Sequence, residues 1–546
     1  MSEPIDKELE EFRSQMTPPA EFEEGFSWIS FLGALFIGLI MVPGAMYMGL
    51  LAGEGIGPAA QWVTVILFLE VARRAQRQMK KAEIFVLFFM VGGAMASPFG
   101  GLLWNQFFIR SDAAIAFGVA EGLPTWFAPS PDSISYAKRT FLHPDWLPAI
   151  GLCIFGTFFG TLSYLVLGYG LFRLTSDLER LPFPMAPIGA QGVLALAEDV
   201  EEKTAGEGGW RWRIFSIGSA LGLAFGAIYL GLPTVSGALF GTPIQIFPIP
   251  FTDLTAKTSK ILPAVATGIT WDLGHFMVGM VLPFYAMVGS ISGLVITTIA
   301  NPVLYRAGLL KNWREGDDTI TTLFKNNVDF YFSFGIGVAI AIALAGLWQV
   351  YKGIRASRRT QPSPVQGARA ETWKLTTPPG RGDLPTWAIL AVYFVTVTAY
   401  ILVSGWLIEW HPGVMAVLCF LGFIYTPAIS YVTARLEGMA GQAVEIPMVR
   451  EASLILSGYQ GVKVWFLPIP LSNFGNMTVF YRQCELTGTR FTSIWKAKIL
   501  LFPIILVCSM LCASFIWSLA PIPLSLIHIS EPTRLLSISY AVFCLK

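Results

Sequence analysis

From Phe26 to Leu51 the chain carries no charged residue, and from Trp146 to Phe172 it again carries none. A helix needs about 20 apolar residues to cross the hydrocarbon core of a bilayer. A surface helix of that length in a soluble protein would show a polar face. Further apolar runs cover about Gly57–Val71, Ile84–Ile109, Ile214–Leu232, Phe332–Val350, Thr386–Leu407, Gly413–Thr433 and Ile499–Leu519. Residues 261–304 form one apolar block, long enough for two spans or a tight hairpin, closed by Asn301-Pro302. Only 13% of the 546 residues are charged, against roughly 25% in a soluble domain. The expected class is all-α: a polytopic membrane protein of about eleven transmembrane helices with two broken or re-entrant segments.

Charge places the loops. Residues 1–26 hold eight acids against two bases and read as a solvated acidic cytoplasmic tail. The loop with Arg73, Arg74, Arg77, Lys80 and Lys81 has no acid in its basic run, and short basic loops stay cytoplasmic. The loop 110–145 then falls outside, as does the Pro-rich stretch 233–260. Residues 352–384 carry seven bases and two acids among Ser, Pro and Gly, and read as a basic cytoplasmic linker. It separates a first transmembrane half, 27–351, from a second, 385–523. From about Leu524 the sequence is similar to translated sequencing-adapter DNA, so 524–546 is set aside as a non-native tail. The second half is then expected to be incomplete and the chain truncated at the C-terminus. The absence of a signal peptide and the nature of the tail point to a prokaryotic inner membrane.

Two stretches break the helical pattern. Arg180–Glu198 is apolar, yet Pro182, Pro184 and Pro187 oppose a normal helix start, because proline lacks an N–H and pushes its predecessor to extended geometry. Extended backbone at membrane depth is tolerated only inside protein or beside a wet cavity. Such interrupted segments point to a transporter's binding site; a cytoplasmic loop leading into a surface helix is the competing reading. The second stretch, about 439–475, contains Gly441, Pro447, Pro468 and Pro470. Both follow a helix and a charged turn, Asp177-Leu-Glu-Arg180 and Arg435-Leu-Glu437, as in repeated halves.

Ionisable groups inside spans are functional candidates. Glu70 relays protons, or pairs with Arg73 and Arg74 one turn on; the spacing favours pairing. Asp272 and His275 stand at i,i+3, which places both on one helix face and makes a plausible proton site. Against this, Thr270 or Asp272 caps a helix and His275 lies at the interface. Glu445, Arg450 and Glu451 are salt-bridged surface charge unless their segment is re-entrant. Asn105, Gln191, Gln442 and Asn473 are candidate ligands for the backbone amides of a peptide-like solute, or hydrogen bonds to neighbouring helices.

Several chemistries are unsupported. No GxxxxGK[ST] or GxGxxG motif follows a strand, and no HExxH occurs. The six cysteines form no CxxC pair, so neither metal site nor disulfide framework is implied. No cofactor and no nucleic-acid partner are expected, and the net charge is only +1.

Taken together, several stretches resemble the oligopeptide transporter family, in its prokaryotic branch related to the yellow-stripe-like transporters. They are Leu67 to Arg74, Leu181-Pro-Phe-Pro184, Gly268 to Asp272, Gly279 to Pro283, Ser290-Ile-Ser-Gly293, Asn301-Pro302, Gly438 to Gln442, Thr487 to Ala497 and Trp517 to Pro523. Met185-Ala-Pro187 departs from the small polar residues usual after Leu-Pro-Phe-Pro. The Asn-Pro-Gly and Lys-Ile-Pro-Pro-Arg signatures of the eukaryotic peptide branch are missing. The resemblance implies proton-coupled symport of oligopeptides or peptide-like metal chelates by two helical halves, and no enzyme activity. Pro182, Pro184, Gln191, Asn105, Gln442 and Asn473 would line the solute site, and Asp272, His275 and Glu70 would couple protons. The alternatives are a passive channel, a transporter subunit for another small solute, or an intramembrane enzyme using Asp272 and His275.

Overall fold

A computed structural model describes residues 21–46, 57–94, 97–111, 118–201, 210–242, 251–271, 273–281, 284–331, 378–443 and 449–519, with a few isolated positions between them. These residues are helical apart from loops and one two-stranded ribbon, in which Thr252 pairs with Ile269 and Asp253 with Gly268. Six helices are long and apolar enough to cross a membrane. They are α1 (Trp28–Met46), α5 (Pro144–Leu178), α9 (Met287–Arg306), α11 (Thr386–Leu407), α12 (Pro412–Met439) and α15 (Phe491–Leu519). The architecture is that of a multi-pass membrane protein. Between these helices lie α2 (Gly57–Arg74), α3 (Lys81–Ala94), α4 (Gly100–Phe108), α6 (Ala186–Glu201), α7 (Trp210–Gly226), α8 (Leu273–Val281), α10 (Thr319–Asn326), α13 (Val449–Leu456) and α14 (Met477–Leu486).

Helices α1 and α12, and α7 where it continues through Ala227–Gly231 into Leu232–Phe240, each widen by one residue in one turn. Val42, Leu232 and Thr426 donate their N–H five residues back, to Ile37, Ala227 and Leu421. Each wide turn is followed immediately by a proline: Pro43, Pro233 or Pro427. A proline ring clashes with the carbonyl four residues earlier. A turn that bonds i to i+5 moves that carbonyl aside without ending the helix.

The main core joins α1, α3, α5, α14 and α15 around Phe85, Tyr169, Tyr481, Phe491 and Trp517. By contrast, most of the side chains of α9 are exposed and it packs little against the other described residues. The ribbon, α10 and residues 310–313 form a separate lobe around Ala264, Leu310 and Trp313. Asp253 fastens it, accepting from the Thr255 and Thr319 N–H groups and from the Thr319 hydroxyl, each at 2.8 Å.

Two expectations change. The end of the acidic tail is docked rather than solvated. Glu23 N–H donates to Gly488 O at 2.8 Å, Arg490 N–H returns to Glu23 O at 3.0 Å, and Glu24 takes the Ser493 hydroxyl at 2.9 Å. The end of the basic linker is also structural: Arg381 is fully buried.

Candidate functional site

The first broken segment is shorter than its composition implied. Helix α5 ends in a wide turn at Leu178, Leu181–Met185 are non-helical, and α6 begins at Ala186. Pro187 then falls in the first turn, where no N–H is needed. Of Leu181, Pro182, Phe183 and Pro184, only two have an N–H. Leu181 donates to Thr175 O at 3.0 Å and Phe183 to Gly438 O at 2.8 Å. Prolines therefore leave no orphan donor in a buried non-helical stretch. Pro182, Phe183 and Pro184 are all buried. Arg180 and Phe183 have φ of 54° and 48°, a left-handed geometry that costs roughly 1–2 kcal/mol per residue.

Gly438 is the other half of this contact. A Cβ there would stand 2.7 Å from Leu181 Cδ1 and 2.8 Å from Leu181 Cβ. Gly441, at φ +65°, meets Met185 in the same way, with a Cβ 2.6 Å from its Cγ. The Leu-Pro-Phe-Pro stretch and the Gly438–Gly441 turn thus fit directly against each other.

The second broken segment runs without helix from Leu467 to Gly475 beside α11 and α12. Its carbonyls are satisfied by side-chain hydroxyls. Ser404 Oγ donates to Pro468 O at 2.6 Å, Thr426 Oγ1 to Pro470 O at 2.8 Å, and Ser430 Oγ to Ser472 O at 3.4 Å. Asn473 Nδ2 donates to Thr433 Oγ1 at 2.8 Å. Thr426, Ser430 and Thr433 recur at i, i+4 and i+7, one face of α12. This hydroxyl stripe is how an extended chain avoids unpaired carbonyls between apolar helices. Part of the expected break is regular, since 449–456 form α13.

A buried charge cluster closes one end. Arg381 Nη2 lies 2.6 Å from Asp177 Oδ2, Nη1 2.8 Å from Glu485 Oε1, and Nε 3.1 Å from both Asp383 oxygens. Arg173 approaches Asp177 at 3.6 Å, and Arg482 pairs with Glu485. Three cations thus meet three carboxylates. Phe172 and Phe491 flank the Arg381 guanidinium, with ring centres at 5.5 and 5.3 Å. Burial works against the Arg381 charge, but the hydrogen bonds and charges of Asp177 and Asp383 outweigh it and hold its pKa above the ordinary value. One turn away, Glu179 takes Arg435 Nε at 2.8 Å and the Tyr431 hydroxyl.

The residues singled out in the sequence are dispersed. Glu70 pairs with Arg73 at 2.6 Å and Arg74 at 3.0 Å. Asn105 Nδ2 donates to Phe127 O at 3.1 Å and ties α4 to the following loop. Asn473 is held by Thr433 and by the Gly475 N–H. Gln442 is exposed just past Gly441, and Gln191 is partly buried on α6. Asp272 and Glu445 lie outside the described residues, as does the side chain of His275 in α8. Among the described residues no three His, Cys, Asp or Glu side chains gather to hold a metal ion.

Sequence reasoning missed Arg381, which stands in a stretch rich in Pro, Gly and Lys/Arg. It also missed Lys498, seven residues into α15. The Lys498 Nζ occupies the space where a Cβ on Gly93 of α3 would come within 3.1 Å, and no partner reaches it among the described residues. The hydroxyl spacing on α12 was the one signal in the sequence that pointed to a satisfied extended segment.

No protein-family model and no curated protein matches this chain.

Proposed function

We propose that the chain is a secondary active transporter that couples proton entry to symport of small peptides or peptide-like metal chelates. The observation that carries this reading is the bond from Phe183 N–H to Gly438 O. It brings the Pro-interrupted stretch of the first half against the end of α12, where Gly441 breaks the helix in the second half. Interrupted segments in corresponding places are the expected surroundings of a transporter's solute site. The fuller architecture proposed is eleven spans in two halves, with the N-terminus cytoplasmic in a prokaryotic inner membrane. Asp272 and His275 are the proposed proton couple.

The test is uptake of a labelled di- to hexapeptide pool into proteoliposomes, with and without an inward proton gradient. Gradient-driven accumulation that falls in Asp272→Asn or His275→Ala supports symport and the proton couple. Accumulation unchanged in both variants removes the couple and keeps the transporter. Absence of uptake under any gradient rejects peptides as the solute.

A further inference from the structure

The loop after α4 borders a half-open cleft of about 570 Å³, within the size range of small-molecule sites. Its lining includes one cation, Arg110, and two acids, Glu121 and Asp132. Arg110 is exposed yet held in place. Its Nε donates to Gln106 O at 3.2 Å and its Nη2 to Gln106 Oε1 at 2.6 Å. Gln106 is fully buried and anchored in turn, donating through Nε2 to Leu103 O at 3.0 Å. The guanidinium lies 4.6 Å from the ring centre of Tyr136, whose hydroxyl donates to Pro129 O at 2.9 Å.

Capping of the α4 C-terminus explains the bond to the Gln106 carbonyl. It does not explain the bond to the Gln106 side chain or the aromatic platform. These contacts use the Nε–Nη2 edge and one face of the guanidinium, all with neutral groups. Among the described residues no hydrogen bond uses Nη1 and no carboxylate pairs with Arg110, which leaves the Nη1–Nη2 edge free. A planar fork with a fixed orientation and a free edge suits a carboxylate bound in bidentate fashion.

We infer that this cleft binds a small zwitterionic solute, its carboxylate on Arg110 and its ammonium toward Glu121 and Asp132. The assignment of the solute as peptide-like rests on the transport reading above.

The test measures binding of trialanine to the purified full chain in detergent, beside N-acetyl-trialanine and trialanine amide. Trialanine is expected to bind saturably, and each capped form about tenfold or more weaker, since each loses one charged contact. Arg110→Gln should weaken trialanine to the level of trialanine amide and leave the amide itself unchanged. Arg110→Lys should retain part of the affinity, which separates loss of charge from loss of fold. Glu121→Gln with Asp132→Asn should weaken trialanine and leave N-acetyl-trialanine unchanged. Equal binding of all three probes, no saturable binding to the wild type, or trialanine affinity unchanged in Arg110→Gln overturns the inference. Proteoliposome uptake of trialanine separates the two readings. Gradient-driven uptake with an unaltered KM in Arg110→Gln removes the cleft's role and keeps transport. The expected binding pattern without uptake keeps the site and removes transport.

Discussion

Phe183 donates its backbone N–H to the carbonyl of Gly438 at 2.8 Å across 255 positions of sequence. The two residues belong to segments that cannot continue as helices, one because of proline and one because a left-handed glycine follows. Each supplies what the other lacks: a donor in a non-helical stretch meets a carbonyl at a helix end.

The close approach at Gly438 leaves no room for a methyl group. Gly438→Ala is expected to cost about 1–3 kcal/mol, because its Cβ meets Leu181 near the backbone. Gly93→Ala meets the flexible tip of Lys498 at 3.1 Å and Leu501 Cδ2 at an ordinary 3.9 Å, and should cost under about 1 kcal/mol. Thermal midpoints of the two variants in detergent check the contrast; equal losses would sink it.

The hydroxyl stripe on α12 makes a second expectation. Thr426→Val keeps shape and removes the donor to Pro470 O. An orphaned buried carbonyl costs about 1–3 kcal/mol. Loss of stability without change in overall helix content, read by circular dichroism and a melting curve, is the expected result.

Arg381 bridges Asp177 at the end of α5 and Glu485 on α14. Arg381→Met leaves three carboxylates with only Arg173 and Arg482 between them. Removal of one partner from a buried cluster costs about 3–5 kcal/mol. Arg381→Lys should recover little, since one ammonium cannot serve three carboxylates in a fixed plane. Yield of monodisperse protein and its melting temperature report both outcomes.

Acid should loosen the lobe around Trp313 before the rest. Burial raises the Asp253 carboxyl, but hydrogen bonds from Thr319 and Thr255 outweigh it and hold its pKa below the ordinary value. At Asp317 burial likewise acts upward and is outweighed by Lys325 and the Arg314 N–H. A carboxyl depressed by folding contributes stability above its unfolded pKa, about 3.9, and loses it as pH falls through the folded value. Hydrogen exchange over Thr319–Asn326, expressed relative to the intrinsic amide rate at each pH, should therefore be flat from neutral pH to about pH 4 and rise below it. A rise already at pH 6 would contradict this.

Much of the architecture was legible in the chain because it depends on local composition. Uncharged runs of twenty or more residues announce membrane helices, and Pro43 and Pro427 mark where two of them widen. The interruption at Leu181–Pro184 was likewise visible, since proline acts on its own backbone and its immediate predecessor. Its extent was not: Pro187 was read as a further breaker, whereas a proline in the first turn of a helix breaks nothing.

The sequence by itself therefore determined the class of the protein, its apolar helices and the places where the helical pattern fails. Tertiary structure alone decided what those failures meet. Nothing local pairs Phe183 with Gly438, or moves Arg381 from a basic linker into a cluster of three carboxylates. Nothing local shows that Asn105 reaches the Phe127 carbonyl or Asn473 the Thr433 hydroxyl. Helix formation is governed by neighbours within one turn, which a sequence displays. The partners of an extended backbone or a buried charge lie hundreds of residues away, and only the packed chain brings them within hydrogen-bond distance.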